Sequence, residues 1–335
     1  MRPLRPRGVL PAASALLLTA LLGACGGPHP PAASAKDPSA SARTAGPATS
    51  GTGPGAAASP GSTPAGTPAA GTVPVPAPAA ALDALRRRYG ARLGVYALDT
   101  GSGREIGYHA DDRFAFDSTY KALAAGVLLR RASDADLDRV LTYRAEDLQK
   151  YSPVTRAHVS TGMTLRALLD AALRHSDNTA ANLLLDRLGG PAGLQRALRG
   201  TGDVTTHVDR AEPDVNSAIP GDVRDTSTPR TLATDLRRFL LGDLLTARRR
   251  ARLTTWMLHT TTGGPYIRAG VPAGWRVGDK TGNGDYGSRN DIAVVWPPIG
   301  APVVLAILSA RGHRTSSSDD ALIADTTKAV LAALR

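Results

Sequence analysis

A serine and a lysine three residues apart have types and a spacing that could perform nucleophilic chemistry. Ser118-Thr119-Tyr120-Lys121 precedes a predicted helix over residues 122–129, and positions i and i+3 share one face of a helix. A serine becomes a nucleophile when a neighbouring base takes its proton, and burial near other cations lowers the pKa of a lysine enough for that task. Taken alone, the pair fits an N-capping serine beside a solvated lysine equally well.

Two tripeptides further along the chain change that interpretation. Ser176-Asp177-Asn178 lies between two predicted helical runs, and Lys280-Thr281-Gly282 follows a predicted strand over residues 275–279. Each tripeptide alone is typical of a turn. Together with Ser118 and Lys121, in this order, they resemble the three-part signature of the penicillin-recognising serine enzymes. Lysine is scarce in this chain, yet two lysines occupy signature positions, which makes a chance match a poor explanation.

A fourth motif divides that superfamily. Glu212-Pro213 and Asn216 lie within a 16-residue segment from Arg210 to Asp225, which is the size of an Ω loop. The segment resembles the Ω loop of class A β-lactamases, and the resemblance to that family covers about residues 82–335. It implies that Arg210 and Asp225 form an ion pair that brackets the loop. It also implies a cis bond before Pro213, since cis bonds occur almost only before proline.

The resemblance implies a serine acyl-enzyme mechanism that opens the lactam ring of penicillins and cephalosporins and so gives antibiotic resistance. Ser118 would attack the lactam carbonyl, and either Lys121 or Glu212, acting through a water, would take its proton. Ser176 would protonate the departing nitrogen. Glu212 and Asn216 would then position and deprotonate the hydrolytic water.

The resemblance also implies how the substrate is held. The backbone N–H groups of Ser118 and Asn283 would form the oxyanion hole, Asn178 would hold the acylamino side chain, and Tyr151 would wall the mouth of the site. Charge-assisted hydrogen bonds would bind the substrate carboxylate. The implied substrate-binding residues are Tyr151, Asn178, Asn216, Lys280, Thr281, Gly282, Asn283 and Arg289. No cofactor and no metal is implied, and a monomer is expected.

One residue departs from the family pattern. Asp117, directly before the predicted nucleophile, is an acid where the family usually has a neutral residue. Facing the site, its carboxylate could perturb Lys121 or repel an anionic substrate. We expect it to point away, behind the turn between strand and helix.

The elements around these motifs predict an α+β fold of the β-lactamase/transpeptidase type. Strands are predicted near both ends of the foldable region, over residues 92–98, 104–108, 275–279, 291–296 and 303–309. Helical spacing dominates between them, and a last helix is predicted over residues 319–334. This order predicts an antiparallel sheet with flanking helices (residues 81–110 and 259–335) and an inserted all-α subdomain (residues 111–258).

The composition separates this domain, residues 81–335, from a segment that cannot form a core. Residues 26–80 contain no Leu, Ile, Met, Phe, Trp or Tyr, so they cannot bury enough apolar surface to offset chain entropy. We interpret them as a tether of flexible and polyproline II character.

The net charge of +11 is spread along the chain. We interpret its longest basic run, Arg248-Arg249-Arg250, as a solvated helix face and predict no nucleic-acid partner.

The N-terminus has the pattern of an export signal. Three arginines in the first seven residues precede an apolar stretch over residues 9–22. Leu22-Gly23-Ala24-Cys25 resembles the bacterial lipoprotein box, and Cys25 is the only cysteine. These features predict a signal peptide over residues 1–25 and a lipid on Cys25 that anchors the protein outside the cell membrane, with a released soluble form as a second state. An ordinary signal peptide and a transmembrane helix are the alternatives; the apolar run is short for a span.

Three other functions fit parts of the sequence. A penicillin-binding D,D-peptidase would share the three-part signature but would lack a deacylating carboxylate, and Glu212 with Asn216 argues against it. A non-hydrolytic β-lactam sensor would acylate once and stop, so turnover distinguishes it. A wall-attached interaction protein with a degenerate domain would not need the complete set of catalytic residue types.

Overall fold

The computed structural model describes residues 79–334. The predicted signal peptide, Cys25 and the tether up to residue 78 lie outside the described residues. The first helix begins at Ala79, inside the last two residues assigned to the tether, because Ala79, Ala80 and Ala81 are strong helix formers. No helix within 79–334 is long and apolar enough to cross a membrane.

The described residues form an α+β fold. The helices are α1 (Ala79–Tyr89), α2 (Tyr120–Arg131), α3 (Asp134–Asp138), α4 (Leu165–Arg174), α5 (Asn178–Leu188), α6 (Gly190–Arg199), α7 (Pro229–Leu240), α8 (Ala247–Leu258), α9 (Ile267–Gly270) and α10 (Asp320–Leu334). The strands are β1 (Arg92–Asp99), β2 (Glu105–Tyr108), β3 (Phe114–Ala115), β4 (Val140–Leu141), β5 (Met163–Thr164), β6 (Thr226–Ser227), β7 (Arg276–Asn283), β8 (Arg289–Trp296) and β9 (Val303–Ala310).

The main sheet joins the two ends of the described chain, as predicted. Its order is β2-β1-β9-β8-β7, and every neighbouring pair is antiparallel. β1 lies directly against β9, with Val95 opposite Ile307. β9 is buried on both faces, which explains its continuous apolar run, Val303 to Leu308, in place of an alternating pattern.

Two apolar cores cover the faces of this sheet. Leu305 and Ile307 pack with α1 and α10 on one face. Val304 and Ala306 face the other core, which also contains the buried residues of α2, α4, α5 and α7. This second core includes residues from both predicted subdomains, so the helical part is continuous with the sheet in packing.

Strand β7 corrects one prediction that matters for the site. The sequence places Lys280-Thr281-Gly282 after the strand, but in the structure the strand continues to Asn283. Pairing with β8, which sets Lys280 opposite Ile292 and Gly282 opposite Asn290, outweighs the weak strand propensity of glycine. The tripeptide is therefore part of a rigid sheet edge.

Candidate active site

Ser118 lies in a tight junction between a strand and a helix. Asp117–Thr119 form a 3₁₀ turn directly before α2. The turn follows β3, which pairs with β6, and the N–H of Phe116 donates to the carbonyl of Asp225 at 3.2 Å. These contacts fix the position of the predicted nucleophile before the helix begins.

Lys121 is the centre of a buried polar cluster. Its Nζ lies 2.9 Å from Glu212 Oε1, 2.7 Å from Asn178 Oδ1 and 2.9 Å from the carbonyl of Ser176. The side chains of Lys121 and Glu212 are fully inaccessible to solvent. Burial lowers the pKa of Lys121, and the neighbouring charge of Glu212 opposes that shift. The hydroxyl of Ser118 donates to the same carboxylate oxygen of Glu212 at 3.4 Å.

Ser176 links this cluster to the sheet. It lies between α4 and α5 with a φ of 54°, a left-handed conformation that non-glycine residues rarely adopt. Lys280 Nζ donates to Ser176 Oγ at 3.0 Å, and Lys121 Nζ lies 3.4 Å from that oxygen. Burial, and then the charge of Lys121, lower the pKa of Lys280 to about 7. The Ser176 hydroxyl therefore lies between two buried amines.

The predicted Ω loop, Arg210 to Asp225, is closed at its base by its end residues. Arg210 Nε and Asp225 Oδ2 form an ion pair of 2.5 Å, as the resemblance implies, and Asp225 Oδ1 also accepts from the N–H of Arg210. The Glu212–Pro213 bond is cis, also as predicted. Asn216 Nδ2 donates to Glu212 Oε2, so both oxygens of this carboxylate have partners.

Asn182 is a site residue that the sequence analysis missed. Its amide accepts from the N–H of Glu212 at 2.8 Å and donates to the carbonyl of Glu212 at 2.9 Å. It lies four residues after Asn178, on the same face of α5. That spacing was the signal that could have identified it.

The cluster lies beneath an open cavity of about 380 Å³. The cavity is lined by Ser118, Tyr151, Ser176, Asn178, Asn216, Thr262, Tyr266, Thr281, Asn283 and Arg289. Lys121, Glu212 and Lys280 are buried behind this lining. Ser118 and Ser176 line the cavity, and their hydroxyl groups contact the buried charged side chains behind it.

Positive charge and hydroxyl groups meet at the β7 side of the cavity. Arg289 Nη1 donates to Tyr266 Oη at 2.5 Å, and Arg289 Nε lies 2.9 Å from Asp320. Thr281 Oγ1 lies 2.7 Å from Thr262 Oγ1. Thr262, Tyr266 and Asp320 belong to no motif that predicts a role in the site. Their ring and side-chain contacts join segments far apart in the chain and leave no local pattern.

The structure brings together every predicted site residue that it describes. Lining residues and buried residues form one site, while Gly282 packs its backbone against the turn that carries Ser118. Arg210, Pro213 and Asp225 support the site from the Ω loop. Cys25 lies outside the described residues. Within 79–334 no group of three or more His, Cys, Asp or Glu side chains could hold a metal ion.

Comparison with known proteins identifies the family. A model of the beta-lactamase enzyme family matches residues 77–334. A beta-lactamase of Amycolatopsis lactamdurans is 57% identical over 250 residues, which are 75% of this chain and 83% of that protein. A beta-lactamase of Bacillus licheniformis is 52% identical over 250 residues, 75% of this chain and 81% of that protein.

Solved structures agree with this match. The class A beta-lactamase from Clostridium kluyveri DSM 555 superposes with a TM-score of 0.76 at 47% identity, and the match covers 76% of this chain and 98% of that one. Fold, site residues and sequence similarity thus lead to one conclusion. The chain belongs to the beta-lactamase enzyme family and is a class A serine β-lactamase.

Proposed function

We propose that Ser118 is the nucleophile with which this β-lactamase hydrolyses penicillins and cephalosporins. The observation that carries the proposal is the convergence of Ser118 Oγ and Lys121 Nζ on one carboxylate oxygen, Glu212 Oε1, at 3.4 and 2.9 Å. A serine that donates to a buried base beneath an open cavity has the arrangement that nucleophilic catalysis requires. The resistance that such hydrolysis gives to the cell is part of the proposal.

Acylation begins with attack of Ser118 Oγ on the lactam carbonyl. The proton of Ser118 passes to the Lys121–Glu212 pair, and the N–H groups of Ser118 and Asn283 stabilise the oxyanion. The carbon–nitrogen bond of the ring then breaks, and Ser176 protonates the nitrogen. Contact with Lys280 supports this role of Ser176, because a neighbouring ammonium replaces the proton that the hydroxyl gives up.

Deacylation uses the Ω loop. The proton that the Lys121–Glu212 pair took up in acylation first passes through Ser176 to Lys280, since both amines contact the Ser176 hydroxyl, and Glu212 is again a carboxylate. Glu212 then takes a proton from a water held between its carboxylate and Asn216, and that water attacks the ester carbonyl. The ester bond breaks, and Ser118 recovers its proton. The hydrogen bond from Asn216 to Glu212 and the two bonds from Asn182 to its backbone support this assignment, since they fix the orientation of the base.

The remaining residues hold the substrate. Arg289, with Thr281 beside it and Lys280 behind, binds the carboxylate through charge-assisted hydrogen bonds. Asn178 binds the acylamino carbonyl with its Nδ2, since its Oδ1 accepts from Lys121. Tyr151, half exposed at the rim of the cavity, covers the ring system.

The experiment that tests this assignment is intact-mass analysis after mixing with penicillin. Wild type should show a transient adduct of one substrate mass, and Ser118→Ala should show none. An adduct on the Ser118→Ala variant would place the nucleophile elsewhere. A wild-type protein that acylates once and then stops would be a β-lactam sensor or a penicillin-binding D,D-peptidase; the buried Glu212 with its partner Asn216 favours the hydrolase.

We also propose that the enzyme is exported as a lipoprotein and acts as a monomer outside the cell membrane. The motif Leu22-Gly23-Ala24-Cys25 and the single cysteine support lipidation of Cys25. Two added acyl chains bind a membrane firmly, whereas one binds only marginally. Cys25→Ala should therefore move active enzyme from the membrane fraction to the medium or stall its processing. Retention of a processed variant in the membrane would refute the lipid anchor. Light scattering of residues 81–335 would test the monomer.

A further inference from the structure

The residue before the predicted nucleophile has an unusual environment. Asp117 has a φ of 46°, and its side chain is fully buried. Its Oδ2 accepts from Ser288 Oγ at 2.6 Å and from Asn290 Nδ2 at 2.7 Å. The carboxyl thus points away from the cavity, as expected from the sequence, and toward the turn between β7 and β8.

Asp117 also contacts the backbone on both sides of Asn283. A Cβ added to Gly282 would lie 3.1 Å from Asp117 Cβ. A Cβ added to Gly284 would overlap Asp117 Oδ1. The two glycines that flank Asn283 therefore allow the end of β7 to rest on the Asp117 side chain, because only glycine permits such close approach of the backbone.

A third set of contacts ties this group to the sheet. Asn290, which donates to Asp117, also donates to the carbonyl of Ala115 at 2.9 Å and accepts from the N–H of Ser309 at 3.1 Å. Asp117 is consequently the point at which β8, the end of β7 and the turn that carries Ser118 are held together.

We propose that Asp117 is a positioning residue that sets the separation between Ser118 and the backbone of Asn283, the two donors of the oxyanion hole. This inference rests on the proposed function, because the oxyanion hole belongs to that mechanism. Small errors in the placement of such donors are costly, since they must meet the oxygen where its charge develops.

The surroundings of Asp117 favour its neutral form. Its Oδ1 is buried without a hydrogen-bond partner within the described residues, which suits a carboxylic acid better than a carboxylate. Burial raises the pKa of Asp117 to about 8, the hydrogen bond from Ser288 opposes this shift, and Glu212 adds to it. Arg289 and Asp285 are the other charged groups that influence this pKa, with opposite signs.

The protonation state has a consequence for catalysis. Below pH of about 8 the Asp117 carboxyl is neutral. Above it, a buried negative charge lies one residue from Ser118 and opposes the negative charge that develops on the lactam oxygen. The acylation rate should therefore fall as the pH rises through about 8. Lys280 has a pKa of about 7, so its loss of charge should lower the acylation rate separately, at a lower pH.

The test is the acylation rate constant from single-turnover kinetics with a chromogenic cephalosporin over about pH 6 to 10. Asp117→Asn keeps the acceptor for Ser288 and Asn290 but cannot ionise. The Asp117→Asn variant should retain most of the acylation rate near neutral pH. Its pH profile should lack the inflection near pH 8 and keep only the inflection caused by Lys280. Asp117→Ala removes the support and should slow acylation by about 10- to 100-fold.

A matched control is available in α7. Asp235 is also buried, and burial and then Asp203 raise its pKa to about 8, but it lies within α7 and accepts a hydrogen bond from Arg238 of the same helix, not from the turn that carries Ser118. Asp235→Asn should leave the pH profile of acylation unchanged. Infrared spectra give a second readout: wild type at neutral pH should contain a protonated carboxyl band that Asp117→Asn lacks.

Two results would overturn the proposal. One is an Asp117→Asn variant that keeps the wild-type inflection near pH 8 and the wild-type infrared band. The other is a folded Asp117→Ala variant that acylates at the wild-type rate; if that variant does not fold, the Asn profile alone decides. Failure of the proposed mechanism looks different, because wild type would then form no adduct on Ser118.

Discussion

The two walls of the cavity arrange their polar groups in opposite ways. On the helical wall, formed by α2, the α4–α5 turn and the Ω loop, Lys121 and Glu212 are fully buried and contact each other. On the strand wall, formed by the end of β7 and the start of β8, Thr281, Asn283 and Arg289 line the cavity directly. The buried titratable pair of the helical wall is thus shielded from water, whereas the groups of the strand wall that we propose to bind the substrate face the cavity.

This difference predicts how substitutions divide between rate and affinity. A buried pair of titratable groups has strong mutual effects on proton affinity, so changes on the helical wall should alter rate constants. A cavity-facing donor mainly contributes binding energy common to substrate and transition state, so its loss should raise KM.

The largest effect is expected for Glu212→Gln on the helical wall. Deacylation should slow by about 10³-fold, because the only base held by Asn216 and Asn182 is lost. Acylation should fall much less. The charge of Glu212 raises the pKa of Lys121, so its removal lets Lys121 act more readily as a free amine. Burst kinetics and intact mass should show the acyl-enzyme accumulating.

Asp214→Asn is the matched control for that variant. Asp214 is an exposed carboxylate on the same loop, two residues away. The Asp214→Asn enzyme should therefore hydrolyse substrate at the wild-type rate. If the Glu212→Gln enzyme turns over near the wild-type rate without a trapped adduct, Glu212 is not the base for deacylation.

The second effect sharpens the comparison, because Lys280 belongs to the strand wall in sequence but contacts Ser176 of the helical wall. Lys280→Met should lower kcat/KM by about 10²-fold at neutral pH, as a helical-wall residue would. The wild-type kcat/KM should fall as the pH rises through about 7, because Lys280 then loses its charge. The pH profile of the Met variant should lack this inflection. A variant that changes KM alone would assign Lys280 to binding.

The parts of the site that are formed by residues close together in the sequence could be predicted. Ser118 with Lys121, and Glu212 with Asn216, lie within one turn or loop, so their residue types and spacing could be matched to the motifs of a known family, although neither pair alone distinguishes a catalytic from a structural role. The pairing of Lys121 with Glu212 joins residues 91 positions apart, and only the assembled fold brings them to 2.9 Å.

The same limit explains what sequence reasoning placed wrongly or missed. Lys280 was expected to follow a strand over residues 275–279, yet pairing with β8 continues the strand to Asn283. Asp320 reaches Arg289 from the last helix, which no local pattern could indicate. The five-stranded sheet itself was predictable, since apolar strands at both ends of a folded region have few other ways to be buried.

On the strand wall, Arg289→Ala should raise KM about tenfold and leave kcat within a few-fold. The loss corresponds to one charge-assisted hydrogen bond to the substrate carboxylate. Arg276→Ala, at the opposite end of β7 where the side chain packs over Trp296, is the control and should leave KM unchanged. Steady-state kinetics with a penicillin measures both. If kcat falls and KM does not, the Arg289 side chain takes part in the chemical step.

The smallest effect is expected at the rim. Tyr151 is 52% exposed and lines the cavity, so its ring can cover a bound substrate only in part. Tyr151→Ala should raise KM by about two- to fivefold, because partial burial of a ring contributes little binding energy, and it should leave kcat and thermal stability unchanged. Tyr151→Phe keeps the ring and should retain the wild-type KM. If the Phe variant loses as much affinity as the Ala variant, the hydroxyl is the contact, and the rim binds substrate through a polar group as the strand wall does.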